Sequence, residues 1–160
     1  MGMALLEVDN LSIGYSTKKG FLKAVEGVSF SLDEGRSLGF VGESGCGKTT
    51  LGMALMGLLP PNGSITGGKI ILEGENLIEK SEDEMRKIRW KKISMIFQAA
   101  MNALNPVMRV HDQIAEAILT HNPNLEKEDA LRRVAKLFQL VGLPEGRMRD
   151  YPHQYSGGMK

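Results

Sequence analysis

Apolar and polar side chains alternate along the first thirty residues, which is the pattern of half-buried β-strands. Residues 5–13 show it first, residues 16–20 have the composition of a turn, and residues 22–32 form a second, returning strand. A further strand is predicted over residues 67–72. The chain therefore begins with a small antiparallel sheet, which we expect to lie beside an α/β core.

Two short apolar runs do not alternate. Residues 37–41 and 93–97 are apolar almost throughout, which is typical of strands that are buried on both faces of a parallel sheet. A mostly buried helix is predicted after the first run, from Leu51 to Leu59, and Pro60-Pro61 ends it. We expect both runs to be buried strands.

Helical periodicity marks three further segments. Ser81 and Glu84 have the spacing of a capping box, and Met85, Ile88 and Lys92 then share one predicted helix face. Two later helices are predicted from the apolar sets Ile114, Ala117, Ile118 and Ala130, Val134, Leu137, Phe138, Val141, and Gly142 ends the second of them. These sets are interpreted as core packing.

Composition excludes some classes of function. The chain has 160 residues, 42% of them hydrophobic and 24% charged, as in a soluble globular domain. With 20 basic and 19 acidic residues, charge gives no case for nucleic acid, so the basic run 86–92 is interpreted as a solvated helix face. One cysteine excludes an internal disulfide, and no apolar run approaches the ~20 residues that span a bilayer.

The strongest chemical signal is the segment 42–50, Gly-Glu-Ser-Gly-Cys-Gly-Lys-Thr-Thr. It matches G-x-x-x-x-G-K-[ST], the loop that cradles phosphates. Its glycines let the backbone turn sharply and bring N–H groups close to a phosphate chain, while the following helix points its positive end at the same anion. The alternative is a glycine-rich turn with a chance lysine. The predicted flanking strand and helix argue against that alternative.

Two side chains of this loop have predicted roles. Lys48 places a positive charge on the β- and γ-phosphates, and Thr49 offers its hydroxyl to Mg²⁺. The sequence therefore predicts a site for a nucleoside triphosphate.

Three features occur in one order along the chain: residues 42–50, then Gln98, then Tyr-Ser-Gly-Gly-Met at 155–159. With them the chain resembles the ABC-transporter ATP-binding family over essentially its whole length. Residues 104–107 and 112–116 are more particularly similar to the ATPases of oligopeptide, dipeptide and nickel importers. Two departures are Tyr155, where the signature loop usually begins with Leu, and Ala99-Ala100, where that subfamily often has Asp-Pro.

The resemblance implies an α/β fold. Residues 1–98 would form the P-loop NTPase (RecA-like) α/β core together with its N-terminal antiparallel β subdomain. Residues 99–160 would form an incomplete helical signature subdomain. The family's order continues to a Walker B strand and a switch histidine, and we expect this chain to stop before them.

The resemblance also implies the site residues. Tyr15 stacks on adenine, with the alternative that its ring only covers the edge of the small sheet. Gln98 reaches Mg²⁺ or the attacking water, and its loop touches a membrane subunit. The γ-phosphate held by a second subunit meets Ser156, Gly157 and Gly158. The loop residues implied to contact nucleotide are Gly42, Ser44, Gly45, Cys46, Gly47, Lys48, Thr49 and Thr50.

The implied function is that of an ATP-binding subunit of an importer, with ATP and Mg²⁺ as cofactors. Its expected partners are transmembrane permease subunits and a second ATP-binding subunit, with no nucleic acid, and its expected place is the cytoplasmic face of the cell membrane. One alternative is a nucleotide-binding fragment without turnover, because the Walker B and switch-histidine groups are absent. Another is a different P-loop class, which the lack of an Asn-Lys-x-Asp motif and of a long coiled coil disfavours.

Overall fold

The computed structural model describes residues 4–97 and 104–156. The chain divides into two compact units, Met1–Met95 and Ile96–Lys160. Each unit is described by itself below. The division into subdomains over residues 1–98 and 99–160 stays a prediction.

The first unit contains the predicted antiparallel sheet, with four strands in the order β2-β1-β3-β4. The strands are β1 (Leu6–Thr17), β2 (Gly20–Leu32), β3 (Gly63–Leu72) and β4 (Glu75–Asn76). All three pairings are antiparallel, and β1 is hydrogen-bonded on both of its edges. Leu11, Ile13 and Ile70 are almost completely buried on this sheet and form the centre of its core.

A bulge interrupts the pairing of β1 with β3. Asp9 pairs with Lys69 and Ser12 pairs with Gly67, so Gly68 alone faces two residues of β1. Gly68 has φ of 90°, and a Cβ atom there would lie 2.5 Å from the carbonyl oxygens of both Asp9 and Asn10. Only glycine fits this position without moving the backbone.

Two helices pack on the core of the first unit, α1 (Lys48–Leu55) and α2 (Glu82–Ile88). Helix α1 buries Leu51 and Ala54 but ends before the prolines that were predicted to end it. The capping box of α2 is present, since the Ser81 hydroxyl accepts from the Glu84 N–H while the Glu84 side chain accepts from the Ser81 N–H. Because α2 ends at Ile88, the prediction that Lys92 shares its face is wrong.

The two apolar runs predicted as buried strands are not strands. Within the described residues neither run belongs to a sheet, and Ile93 forms only an isolated bridge with Arg89. Val41 is fully exposed and Ile96 is 93% exposed. An apolar run becomes a strand only where a neighbouring strand accepts and donates its hydrogen bonds, and the described residues supply no such neighbour for these runs.

In its described residues, the second unit contains α3 (Val110–His121), α4 (Lys127–Leu140) and two short 3-10 helices, Glu145–Arg149 and Pro152–Gln154. Ala130, Val134 and Phe138 of α4 are buried as predicted, whereas Leu137 and Val141 are exposed. Gly142 has φ of 73°, the left-handed conformation expected where a helix ends. No helix among the described residues has the length and apolar character to cross a membrane.

The bulge at Gly68 can be tested by a substitution, and the adjacent Gly67 provides the control. Gly68→Ala should lower the free energy of unfolding by about 2 kcal/mol, because the new methyl group meets two carbonyl oxygens in a left-handed backbone. Gly67→Ala should have little effect, since nothing lies within 4 Å of a Cβ atom at Gly67. Urea unfolding of both variants measures the difference, and equal losses would contradict the assigned bulge.

Candidate functional site

The loop that precedes α1 turns on two glycines in the left-handed region. Gly45 has φ of 84° and Gly47 has φ of 96°. Between them, the Cys46 N–H donates to the Glu43 carbonyl oxygen at 3.3 Å, which closes the first turn of the loop. Of the two glycines that the sequence motif fixes, Gly42 and Gly47, only Gly47 has a positive φ, a conformation that other residues adopt at a cost, and Gly45 adds a second such position.

Two glycines of the loop also permit close packing. A Cβ atom on Gly42 would lie 2.7 Å from Cys46 Sγ. A Cβ atom on Gly47 would lie 2.6 Å from the Ala24 carbonyl oxygen and 3.1 Å from a methyl carbon of Val25. Gly47 is therefore required by its contact with β2 as well as by its φ angle, and this contact was not foreseen from the sequence.

The N-terminal end of α1 opens directly from this loop. Gly47 is the N-cap residue and makes no side-chain capping hydrogen bond, and the first turn holds no acidic residue. The first N–H groups of a helix have no partner inside the helix, and they carry the positive end of its dipole. Ser44, Lys48 and Thr49 are exposed around this end. The arrangement suits an anion, since it brings together backbone N–H donors, the Lys48 ammonium group and the positive end of the helix dipole, with no acidic residue in the first turn.

Lys48 folds over the loop. Its Nζ donates to the carbonyl oxygens of Gly42 and Glu43, both at 2.7 Å, and to Cys46 Sγ at 3.2 Å. These three contacts use the three donors of an ammonium group and hold it above the loop backbone. The predicted charge of Lys48 is thus placed beside the glycine turn and the helix end.

The same contact changes the chemistry of Cys46. The hydrogen bond from Lys48 lowers the pKa of the exposed thiol below its usual value, against a smaller opposing effect of desolvation. A lowered thiol pKa increases the thiolate fraction at neutral pH and with it the reactivity toward electrophiles.

Tyr15 lies near the end of β1, where it pairs with Leu22 and Gly63. Its hydroxyl is 3.0 Å from Thr50 Oγ1, so the structure joins two predicted nucleotide contacts through one hydrogen bond. The half-buried ring also covers Gly63, since a Cβ atom there would lie 2.9 Å from a ring carbon of Tyr15. This contact agrees with the alternative that the ring covers the sheet, and it leaves the adenine-stacking role a prediction.

The remaining predicted residues belong to later parts of the chain. Gln98, Gly157 and Gly158 lie outside the described residues. Ser156 is exposed and directly follows Tyr155, which is buried in the core of the second unit. Burial, followed by the Asp150 carboxylate, raises the pKa of the Tyr155 hydroxyl, which donates to the Arg147 carbonyl oxygen. Tyr155 thereby anchors the start of the signature stretch.

One residue that contacts α1 is not evident from the sequence. The basic run predicts a solvated face for Arg89, yet Arg89 is only 9% exposed and bonds to the C-terminal end of α1. The available signal was Glu82, seven residues earlier, because seven residues make two helical turns and bring a carboxylate to the same side.

Comparison with known proteins supplies the family. A family model described as "ABC transporter" matches residues 25–160. The chain is 46% identical over 158 residues to the dipeptide transport ATP-binding protein DppD of Lactococcus lactis subsp. cremoris, covering 98% of this chain and 45% of that protein. It is 44% identical over 159 residues to the oligopeptide transport ATP-binding protein OppD of Escherichia coli, covering 98% and 47%. The chain thus spans about half the length of the curated relatives it matches.

Solved structures confirm the predicted fold class. The ATP-binding cassette MJ0796, solved as a dimer in a post-hydrolysis state bound to ADP and Pi, superposes with a TM-score of 0.82 at 24% identity. That alignment covers 96% of this chain and 64% of the other. The family match over residues 25–160 shows that the chain belongs to the ABC transporter family.

Proposed function

We propose that this chain is the nucleotide-binding portion of the ATP-binding subunit of a peptide importer, related to the peptide and nickel group. Such a subunit couples the binding and hydrolysis of ATP to the transport of a solute through membrane partners. The observation that carries the proposal is the loop of residues 42–50, where Lys48, two left-handed glycines and the open end of α1 come together.

The donor set of the loop fits a triphosphate. Lys48 brings one ammonium group, and the first turn of α1 brings N–H groups without a capping side chain. Ser44 and Thr49 add exposed hydroxyls. Gly42 leaves room for a phosphate to approach the loop backbone. A Cβ atom there would crowd Cys46 Sγ and lie 3.8 Å from Lys48 Nζ. ATP bound here supplies the phosphoanhydride bond, and this chain's residues bind and orient its phosphates.

The remaining roles follow from the proposed function. Thr49 and Gln98 would hold Mg²⁺, which with Lys48 balances the phosphate charge. Thr50 would meet the α-phosphate and Tyr15 the adenine. Ser156, Gly157 and Gly158 would complete the site of a second ATP-binding subunit.

Identity of 44–46% to peptide-transport ATP-binding proteins across 98% of the chain supports the peptide importer class. The partners would be transmembrane permease subunits and a second ATP-binding subunit, as the dimeric cassette MJ0796 suggests. The protein would then lie at the cytoplasmic face of the cell membrane, where its partners present their loops.

Lys48→Ala tests the phosphate site. We expect the affinity for MgATP to fall roughly 10- to 100-fold, since a charge-assisted hydrogen bond contributes about 1.5–3 kcal/mol. Lys136→Ala removes an equal charge from the exposed surface of α4 and should leave the affinity unchanged. Isothermal titration with MgATP measures both. Equal affinity of the Lys48 variant and the wild type would remove the basis of the proposed function, and ATPase assays beside them separate a turning-over subunit from a fragment that only binds.

Tyr15 can be tested by separating adenine from phosphate. Tyr15→Ala should weaken ATP binding by about 1–3 kcal/mol, the usual contribution of stacking on a base, but leave inorganic tripolyphosphate binding nearly unchanged. Tyr15→Phe keeps the ring and loses only the hydrogen bond to Thr50, so ATP affinity should change little. If Tyr15→Ala weakens both ligands equally, the ring acts through the sheet and not through adenine.

Cys46, the single cysteine of the chain, reports on the loop chemically. Because its pKa is lowered in the folded chain, the thiolate persists to lower pH than in the unfolded chain. The pH midpoint of alkylation by iodoacetamide should therefore lie below that of the chain unfolded in urea, and MgATP should slow the reaction. Coincident midpoints would contradict the contact between Lys48 and Cys46, and equal rates with and without MgATP would contradict the placement of phosphate.

A further inference from the structure

We propose that Arg89 is a positioning residue for the phosphate loop, acting through α1: its guanidinium holds the C-terminal end of the helix whose N-terminal end forms the site. The proposal rests on the proposed function for what the site binds. Its structural part, that Arg89 sets the position of the loop, can be tested without nucleotide.

The guanidinium group of Arg89 donates four hydrogen bonds to three residues. Nε donates to the Met56 carbonyl oxygen at 2.8 Å, and Nη2 donates to that of Gly57 at 3.2 Å. The Glu82 carboxylate accepts from Nη1 at 2.6 Å and from Nη2 at 3.0 Å. Arg89 is the one buried charged side chain in the described part of the chain. Removing a charged group from water costs free energy, and a protein buries such a group only when its hydrogen-bond partners are well placed.

The carbonyls that Arg89 binds lie just past the C-terminal end of α1. Gly57, with φ of 62°, donates to the Ala54 carbonyl oxygen at 3.0 Å, and Leu58 donates to that of Met53 at 2.8 Å. These two bonds form a Schellman motif, which satisfies the inner carbonyls. The carbonyls of Met56, the C-cap residue, and of Gly57, which follows it, accept hydrogen bonds from Arg89, whose positive charge also meets the negative end of the helix dipole.

A short helix transmits a change at one end to the other. Eight residues of α1 span about 12 Å, so a tilt of about 10° about its C-terminal end moves its N-terminal end by about 2 Å. Functional groups must be held within about 0.5 Å of their productive positions. A tilt of this size on loss of the Arg89 contacts would displace Lys48 and the N–H groups beside it, even with Gly47 still packed on β2.

Glu82 orients the guanidinium. Its two oxygens accept from two nitrogens, and this contact with Arg89 lowers the pKa of the Glu82 carboxyl. A lysine at position 89 supplies the charge but not the planar fork that reaches a carboxylate and two carbonyls together. Arg89→Lys should therefore restore the site only in part.

The experiment compares Arg89→Lys, Arg89→Met and Glu82→Gln with the wild type, and uses Arg86→Met on the exposed face of α2 as the matched control. The pH midpoint of Cys46 alkylation reports the loop without nucleotide. Affinities for MgATP and for adenosine report the site. All are measured below each variant's unfolding temperature, which is determined by circular dichroism.

We expect Arg89→Met to weaken MgATP binding roughly tenfold or more, Arg89→Lys and Glu82→Gln to weaken it less, and adenosine binding to change little. The Cys46 midpoint should rise toward that of the unfolded chain in the same order, with Arg86→Met unchanged. If Arg89→Met does not fold, the milder Arg89→Lys and Glu82→Gln decide by the same two readouts.

A purely structural role predicts a lower unfolding temperature with an unchanged Cys46 midpoint and unchanged MgATP affinity in the folded variants. That result would overturn the proposal. If the wild type itself does not bind MgATP, the proposed function fails, while the Cys46 midpoints still determine whether Arg89 positions the loop.

Discussion

The close approach of Gly47 to β2 is the contact on which the candidate site depends. The Cα of Gly47 faces the Ala24 carbonyl oxygen so closely that a Cβ atom would lie 2.6 Å from it, and its φ of 96° already disfavours any other residue. This contact fixes where α1 begins relative to the sheet. Substrate-binding N–H groups are useful only when the backbone that carries them cannot shift, and here the sheet supplies that rigidity.

The two ends of α1 are held by different physical means. At the N-terminal end, backbone packs on backbone and the Tyr15 hydroxyl meets Thr50. At the C-terminal end, a Schellman motif and the buried Arg89 satisfy the carbonyls. The middle of the helix buries Leu51 and Ala54 in the core of the first unit. A helix of eight residues has little intrinsic stability, so these tertiary contacts determine that it forms at all.

The features that sequence analysis predicted correctly depend on short-range chemistry. The capping box of Ser81 and Glu84 needs only three residues of spacing, and the left-handed stop at Gly142 needs only the absence of a side chain. The prediction of strands over residues 37–41 and 93–97 was wrong, because a strand requires a hydrogen-bonding partner strand that the local sequence does not specify. The spacing of Glu82 and Arg89 indicates their ion pair, but the burial of Arg89 depends on carbonyls more than thirty residues earlier in the chain, which the local sequence does not specify.

The contacts of Lys48 indicate how the loop can exchange partners. Two of its acceptors are carbonyl oxygens of the loop itself, and these keep the ammonium near the turn. The third is Cys46 Sγ at 3.2 Å, and sulfur is a weaker acceptor than oxygen. A phosphate oxygen makes a stronger, charge-assisted bond than a thiol, so the contact with Cys46 is the one that an incoming anion displaces at least cost. If a phosphate binds as proposed, the loop gives up only its weakest hydrogen bond, while its two backbone contacts still hold the lysine in place.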